Sequence, residues 1–260
     1  MNKLTEFLTK PFLEEDILNE GARDPGIFKA IFLAGGPGSG KSYVVSQLFG
    51  IPQKVNVSVS GLKSVNSDTE FEYLLKKTGI NPKDLAKIEK QQPELFAKLT
   101  SDDPKSVRSK AKKLTDFRKK GYMKGKLGMI IDGTGHNVEK IEKQKKALGL
   151  QGYDTYMVFV NTTLDVALER NSKRSRVLPE KIVTQSWNDV QKNIGRFQQL
   201  FGRDFVVVDN SDTLDEKQAA KKFGMYVKKY ADKWANSPIK NPLGKFWVKK
   251  QLQLKNAMGK

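Results

Sequence analysis

Residues 35–42 read Gly35-Gly36-Pro37-Gly38-Ser39-Gly40-Lys41-Ser42 and fit the pattern G-x-x-x-x-G-K-[ST]. Residues of these types at this spacing can hold a chain of phosphates. Glycines let backbone N–H groups turn inward around an anion. A helix that begins at the loop adds the positive end of its dipole. Lys41 would neutralise the β- and γ-phosphates, and the Ser42 hydroxyl would ligate Mg2+. The expected ligands are therefore ATP or GTP, with Mg2+. The alternative is a chance Gly-rich turn, and the flanking sequence argues against it. Ile31–Ala34 is an apolar run that reads as a strand, and Tyr43–Leu48 reads as a helix.

Three further groups could do chemistry with that loop. Asp68 stands in Val65-Asn66-Ser67-Asp68-Thr69-Glu70, just past an apolar run. A carboxylate at the carboxyl end of a parallel strand can accept a hydroxyl proton while aiming that hydroxyl at a phosphate. Asp68 could equally be no more than the cap of a helix starting at Thr69. Met129-Ile130-Ile131-Asp132-Gly133-Thr134 is an apolar strand running into an acid, so Asp132 is a candidate for Mg2+ or its water. A solvated turn is the alternative. Thr134, His136 and Asn137 follow in the same turn and could touch substrate. His136 is the only histidine, which excludes a poly-His metal site. Arg170, Arg174 and Arg176 fall within seven residues, although the chain has only eight arginines. They could clamp transferring phosphates or form a salt-bridged surface helix.

Positioning these groups requires alternating elements. Short runs rich in β-branched and aromatic residues recur at Lys63–Val65, Met129–Ile131, Tyr156–Val160 and Phe205–Val208, with helical patterns between them. That alternation predicts an α/β fold: a parallel sheet with helices on both faces. The pattern Val183, Trp187, Val190, Ile194, Phe197, Phe201 predicts one long core-facing helix. The expected organisation is an N-terminal helical segment over 1–27, a nucleotide-binding domain over 28–212 with a basic helical insert at 79–126, and a basic helical extension and tail over 213–260.

Of the 260 residues, 47 are Lys or Arg and 29 are Asp or Glu, for a net charge of +18. Residues 104–126 hold ten cations against Asp116 (+9), and residues 217–260 hold twelve lysines against Asp232 (+11), so the rest of the chain is close to neutral. Either segment could bind nucleic acid or another polyanion through steering and counterion release, or be a solvated face. In the second segment, Phe246 and Trp247 are candidate stacking groups. The absence of Cys excludes a disulfide scaffold, thiolate metal sites and thiol nucleophiles. No apolar run approaches the roughly 20 residues of a membrane span, and residues 1–20 are too charged for a signal peptide. A soluble cytoplasmic protein with no membrane partner is expected.

The order of these motifs resembles the zeta toxin and polynucleotide kinase group of P-loop kinases over residues 28–210, phage-encoded zeta-like kinases above all. The resemblance rests on the loop Gly35–Ser42, the Asn66-x-Asp68 turn, the basic helical insert, the strand into Asp132-Gly133-Thr134, and the Arg170–Arg176 lid. It implies a P-loop NTPase fold and transfer of the ATP γ-phosphate to a hydroxyl. For a phage-encoded kinase the compartment would be the host cytoplasm. The resemblance makes Asp68 the substrate-orienting base and gives Arg170, Arg174 and Arg176 phosphate-facing roles. At Asp132 the chain departs from zeta-type enzymes, which often carry Glu. The expected substrate is a hydroxyl-bearing anion such as a nucleotide-linked sugar. The alternatives are a polynucleotide 5′-hydroxyl, or a nucleic-acid-binding or structural protein built on a nucleotide-binding fold.

Overall fold

The computed structural model describes residues 22, 26–49, 58, 61–173, 177–212, 214 and 216–257. Five strands form one sheet: β1 Lys29–Ala34, β2 Lys63–Val65, β3 Met129–Asp132, β4 Asp154–Asn161 and β5 Phe205–Asp209, in the order β2-β3-β1-β4-β5. β1 runs parallel to both β3 and β4, with Phe32 opposite Ile131 on one side and Met157 on the other. β5 runs parallel to β4. All six residues of β1 are buried, as a strand covered on both faces requires. The strand order turns back at β1, so a crevice opens beyond its carboxyl end. The α/β P-loop NTPase fold expected from the sequence is the one observed.

The chain divides into two compact units. The larger holds the sheet. Its core joins Ile31, Leu33, Ile130, Val158 and Val206 of the strands to Val44, Val45 and Leu48 of helix α1 (Lys41–Phe49) and to Phe223 and Trp234 near the chain's end. The smaller is built mainly by Val65–Gly125. It consists of α2 Ser67–Lys77, a 3-10 turn at Pro82–Asp84, α3 Leu85–Gln91, α4 Pro93–Thr100 and α5 Val107–Lys124. Glu70, Phe71, Leu74 and Leu75 lie along one face of α2. The three apolar ones pack with Leu85, Leu99, Val107 and Ala111. Glu70 is buried beside them and pairs with Arg118 of α5.

After α6 (Val138–Leu150), α7 (Leu164–Ser172), α8 (Glu180–Lys192) and α9 (Ile194–Phe201), the chain leaves β5 through α10 (Glu216–Tyr226), a π-helical turn, α11 (Asp232–Asn236) and α12 (Pro242–Ala257). The single long helix expected over 183–201 is instead α8 and α9, broken at Asn193, whose side chain donates to the Gly135 and His136 carbonyls. The apolar period survives the break because both helices turn the same face inward: Val183, Val190, Phe197 and Phe201 are all buried. Among the described residues, no helix is long and apolar enough to cross a membrane. The N-terminal helical segment expected over 1–27 lies, apart from residues 22, 26 and 27, outside the described residues.

The basic end of the chain is docked rather than trailing. At the amino ends of β1 and β4, Lys29 and Asp154 form a buried pair 2.9 Å apart, with side-chain exposures of 1% and 6%. The same carboxylate accepts the backbone N–H groups of Lys240 and Asn241, each at 2.8 Å. Gly244 in α12 packs so closely on Gly152 that a Cβ would strike the Gly152 carbonyl. Trp247, a candidate stacking group in the sequence, instead lies edge-on to Phe28 at 5.4 Å, whereas Phe246 remains 69% exposed.

Two outcomes follow from these buried charges. Removing either partner of Lys29–Asp154 leaves the other charge uncompensated. Asp154→Ala or Lys29→Met should therefore cost about 3–5 kcal/mol in urea unfolding, and the apolar double variant clearly less than the sum. Burial lifts the Glu70 carboxyl above its usual range, against the opposing pull of Arg118. The native state thus protonates Glu70 at a higher pH than the unfolded chain does. The cost of the ionised form is present above the folded pKa and is relieved as pH falls through it. The stability of wild type relative to Glu70→Gln should rise as pH is lowered toward the ordinary carboxylate range, measured by denaturant titration.

Candidate active site

Between β1 and α1 the chain forms the glycine loop, and its shape is dictated by close neighbours. Gly38 and Gly40 have φ of +77° and +76°, a region that costs a residue bearing a Cβ. A Cβ on Gly38 would collide with the Ala167 backbone of α7, and one on Gly40 with the Asn210 side chain. On the outer side, the Trp187 Cα of α8 lies 3.6 Å from where a Gly36 Cβ would sit. Pro37 follows, and the Ser39 N–H closes the turn on the Gly36 carbonyl at 3.2 Å. α1 then begins, with the Val44 N–H donating to the Gly40 carbonyl at 3.0 Å.

Several features of this loop suit a phosphate chain. The Lys41 ammonium is folded into the loop, 2.6 Å from the Gly35 carbonyl. Ser39 is 1% exposed, and its Oγ is buried without a hydrogen-bond partner among the described residues. An orphaned hydroxyl, glycines at positive φ and a lysine ammonium at a helix N-terminus match what a polyphosphate needs.

The turn after β3 adjoins the loop directly. The Gly35 N–H donates to the Thr134 carbonyl at 3.1 Å, and the Gly133 N–H to the Leu33 carbonyl at 3.1 Å. Asp132 sits half-buried at the end of β3, opposite Leu33. Ser42 is exposed on the first turn of α1. Ser42 and Asp132 are hard oxygen donors of the kind Mg2+ takes. Among the described residues no cluster of three or more His, Asp or Glu could hold an ion by itself, so phosphate and water would complete the shell. Thr134 hydrogen-bonds His136 Nδ1, and Asn137 caps α6 by accepting the Lys140 N–H at 2.7 Å. Asn137 thus has a structural use already.

The carboxyl end of β4 and the residues after β5 close the other side. The Trp187 Nε1–H donates to the Thr162 carbonyl at 2.8 Å and Gln191 to Asn161 Oδ1 at 2.6 Å, fixing α8 against β4. Arg170 directs its guanidinium at backbone: Nη1 donates to the Asn210 carbonyl at 2.7 Å and Nη2 to the Asp212 carbonyl at 3.2 Å. Its nearest guanidinium nitrogen is still only 3.6 Å from a Gly40 Cβ position. Arg174 and Arg176 lie outside the described residues.

In the smaller unit, Asp68 lies on the first turn of α2. The cap of that helix is Asn66, whose side chain accepts the Asp68 N–H at 2.8 Å, so α2 starts at Ser67 and Asp68 is not its cap. The Asp68 carboxylate is 73% exposed and pairs at 2.6 Å with Arg108 of α5, whose guanidinium rests 5.3 Å from the Phe71 ring. Sequence reasoning did not single out Arg108 or Asn210, and it read Trp187 only as part of a core-facing helix. Asn210 alone carried a signal, as a polar residue directly after an apolar strand.

The AAA domain family matches residues 31–197, from β1 through α9. The chain belongs to that family. This match agrees with the resemblance to zeta-toxin-like P-loop proteins expected from the motif order. No curated protein sequence matches the chain. Among solved structures, this AAA domain protein is similar to one from the PezAT chromosomal toxin–antitoxin system of Streptococcus pneumoniae, at 12% identity, covering 97% of this chain and 96% of that one, with a TM-score of 0.47. It is also similar to a gluconokinase from Sinorhizobium meliloti 1021, at 15% identity over 78% of this chain and 95% of that one, with a TM-score of 0.41. The AvrRxo1-ORF1:-ORF2 structure with ATP is similar at 15% identity over 80% of this chain and 63% of that one, with a TM-score of 0.46.

The loop's contacts give a direct test. Gly38→Ala places a Cβ on the Ala167 backbone at a positive φ, so the loop must shift. Nucleotide affinity, read by equilibrium binding of ATP, should fall at least about tenfold. Gly121→Ala in α5, where a Cβ meets nothing within 4 Å, should leave binding unchanged and stabilise the chain by about 0.5–1 kcal/mol.

Proposed function

We propose that the chain is an ATP-dependent kinase that moves the γ-phosphate to a hydroxyl of a nucleotide-linked sugar or another phosphorylated small molecule. The observation carrying this reading is the glycine loop bonded through the Gly35 N–H to the Thr134 carbonyl of the turn after Asp132, with the Lys41 ammonium 2.6 Å from the Gly35 carbonyl. Lys41 neutralises phosphate charge. Ser42 and Asp132 are the residues that would hold Mg2+, which when bound spreads the charge of the transferring group.

Asp68 orients the acceptor hydroxyl and takes its proton. Support comes from its exposure on the first turn after β2 and from Arg108, which holds the carboxylate in place. Asp68 and the kinase reading itself draw on the motif resemblance, as does the anionic substrate. Arg174 and Arg176 are assigned to phosphate on that resemblance alone. For Arg170, the bonds to the 210–212 backbone support a bracing role instead.

A polynucleotide 5′-hydroxyl kinase is the second reading. Its support is the exposed Phe246 flanked by the exposed Lys245, Lys249 and Lys250 of α12, a surface to which single-stranded nucleic acid could stack and pair charge, at the end of the sheet opposite the glycine loop.

The deciding experiment offers labelled ATP with UDP-linked amino sugars and 5′-hydroxyl oligonucleotides in parallel. Label on the sugar alone supports the first reading, and label on the oligonucleotide alone replaces it with the second. Transfer to neither, with ATP still bound, leaves a nucleotide-binding protein without this activity. Asp68→Asn should slow transfer by about a hundredfold or more with ATP affinity retained. A wild-type rate would remove Asp68 from the mechanism.

A further inference from the structure

We infer that Asn210, braced by Arg170, is a positioning residue that aims a phosphate-binding N–H of the glycine loop. The inference rests on the reading of Gly35–Ser42 as a nucleotide site and goes beyond it in naming what sets the loop's geometry.

Asn210 follows β5 directly and is 5% exposed. Its Nδ2 donates to the Ser39 carbonyl at 2.8 Å, in a buried bond that joins residues 171 apart in the chain. The Ser39–Gly40 peptide is planar and trans, so its C=O and N–H point in opposite directions. Holding the carbonyl toward Asn210 therefore turns the Gly40 N–H away from Asn210. The choice of glycine at position 40 fits the same contact, because a Cβ there would collide with Asn210 Nδ2.

Asn210 is itself held from both ends. Its own N–H donates to the Asn161 carbonyl of β4 at 2.8 Å, and its carbonyl accepts Arg170 Nη1 at 2.7 Å. Arg170 Nη2 reaches on to the Asp212 carbonyl at 3.2 Å. The resulting chain runs from Arg170 through Asn210 to Ser39 and crosses from α7 to the loop by way of the segment after β5. Glycine-rich backbone has no side chains with which to hold its own carbonyls, and a freely rotating Ser39–Gly40 peptide would present either its N–H or its C=O to an anion. Asn210 removes the second choice. Asp at this position would set a carboxylate oxygen against the Ser39 carbonyl, with neither group able to donate.

The test uses the full-length chain and measures binding rather than turnover. ATP and inorganic tripolyphosphate are titrated against wild type, Asn210→Ala and Asn210→Asp, with thermal unfolding of each as a folding control. If Asn210 acts through the phosphate-facing N–H, both variants lose affinity for both ligands by a similar factor, about tenfold for Ala and more for Asp. Unchanged affinities in folded variants overturn the inference. A loss confined to ATP, with tripolyphosphate binding intact, also overturns it, because Asn210 would then act on the nucleoside. If neither variant folds, Asn210 is a folding residue and the inference fails. Wild type that binds neither ligand would instead sink the reading of the loop as a nucleotide site, a result distinct from all of these.

Discussion

A loop that binds phosphate with its backbone must be rigid without side chains of its own, and the rest of the larger unit is arranged around that constraint. Glycine loses more conformational freedom on folding than any other residue, so order at Gly35–Gly40 has to be imposed from outside. The contacts that impose it come from four different places in the sequence. The Thr134 carbonyl takes the Gly35 N–H. The Ala167 backbone and the Trp187 Cα limit the space at Gly38 and Gly36, and Asn210 holds the Ser39 carbonyl. Each of these groups lies just past the carboxyl end of a strand or on a helix tied to one, so the parallel sheet brings them together by construction.

The opposite end of the sheet solves a different problem. There the first residues of β1 and β4 are Lys29 and Asp154, and burying such a pair is favourable only if the remaining hydrogen-bonding capacity is filled. The chain fills it with its own later backbone, since the N–H groups of Lys240 and Asn241 complete the Asp154 carboxylate. Burial pulls the Lys29 ammonium below its usual range, opposed chiefly by Asp154. Residues 237–244 are thus part of the fold, and α12 starts from a fixed point. An amphipathic basic helix anchored in this way presents a defined face, with Leu243, Phe246 and Leu254 outward.

What could be read from the sequence was what is local. The phosphate loop is eight consecutive residues whose types follow from backbone conformation, and Asp132 ends an apolar strand that any alternation count would find. What could not be read were contacts whose partners lie far apart. Asn210 reaches Ser39 across 171 positions, and a polar residue after an apolar strand is all that Asp209-Asn210-Ser211 shows of it. Asn193 likewise interrupts a helix period that continues on both sides, because the apolar spacing reports which face is buried and not whether the backbone is continuous. Arg170 was legible as a cluster member, yet its role depends on which carbonyls lie within reach. That is a tertiary fact.

Charge divides along the same line. The +9 of residues 104–126 suggested a uniformly solvated or polyanion-binding face, but its arginines and lysines behave differently. Arg108 and Arg118 turn inward to Asp68 and Glu70 on α2, where a planar guanidinium can serve a carboxylate and lie against an aromatic ring at once. Lys112, Lys113, Lys120 and Lys124 stay at the surface, exposed or nearly so. A rare arginine among many lysines is therefore the more informative residue. In this insert the two arginines tie α5 to the helix that carries Asp68, and the exposed lysines keep its outer face basic.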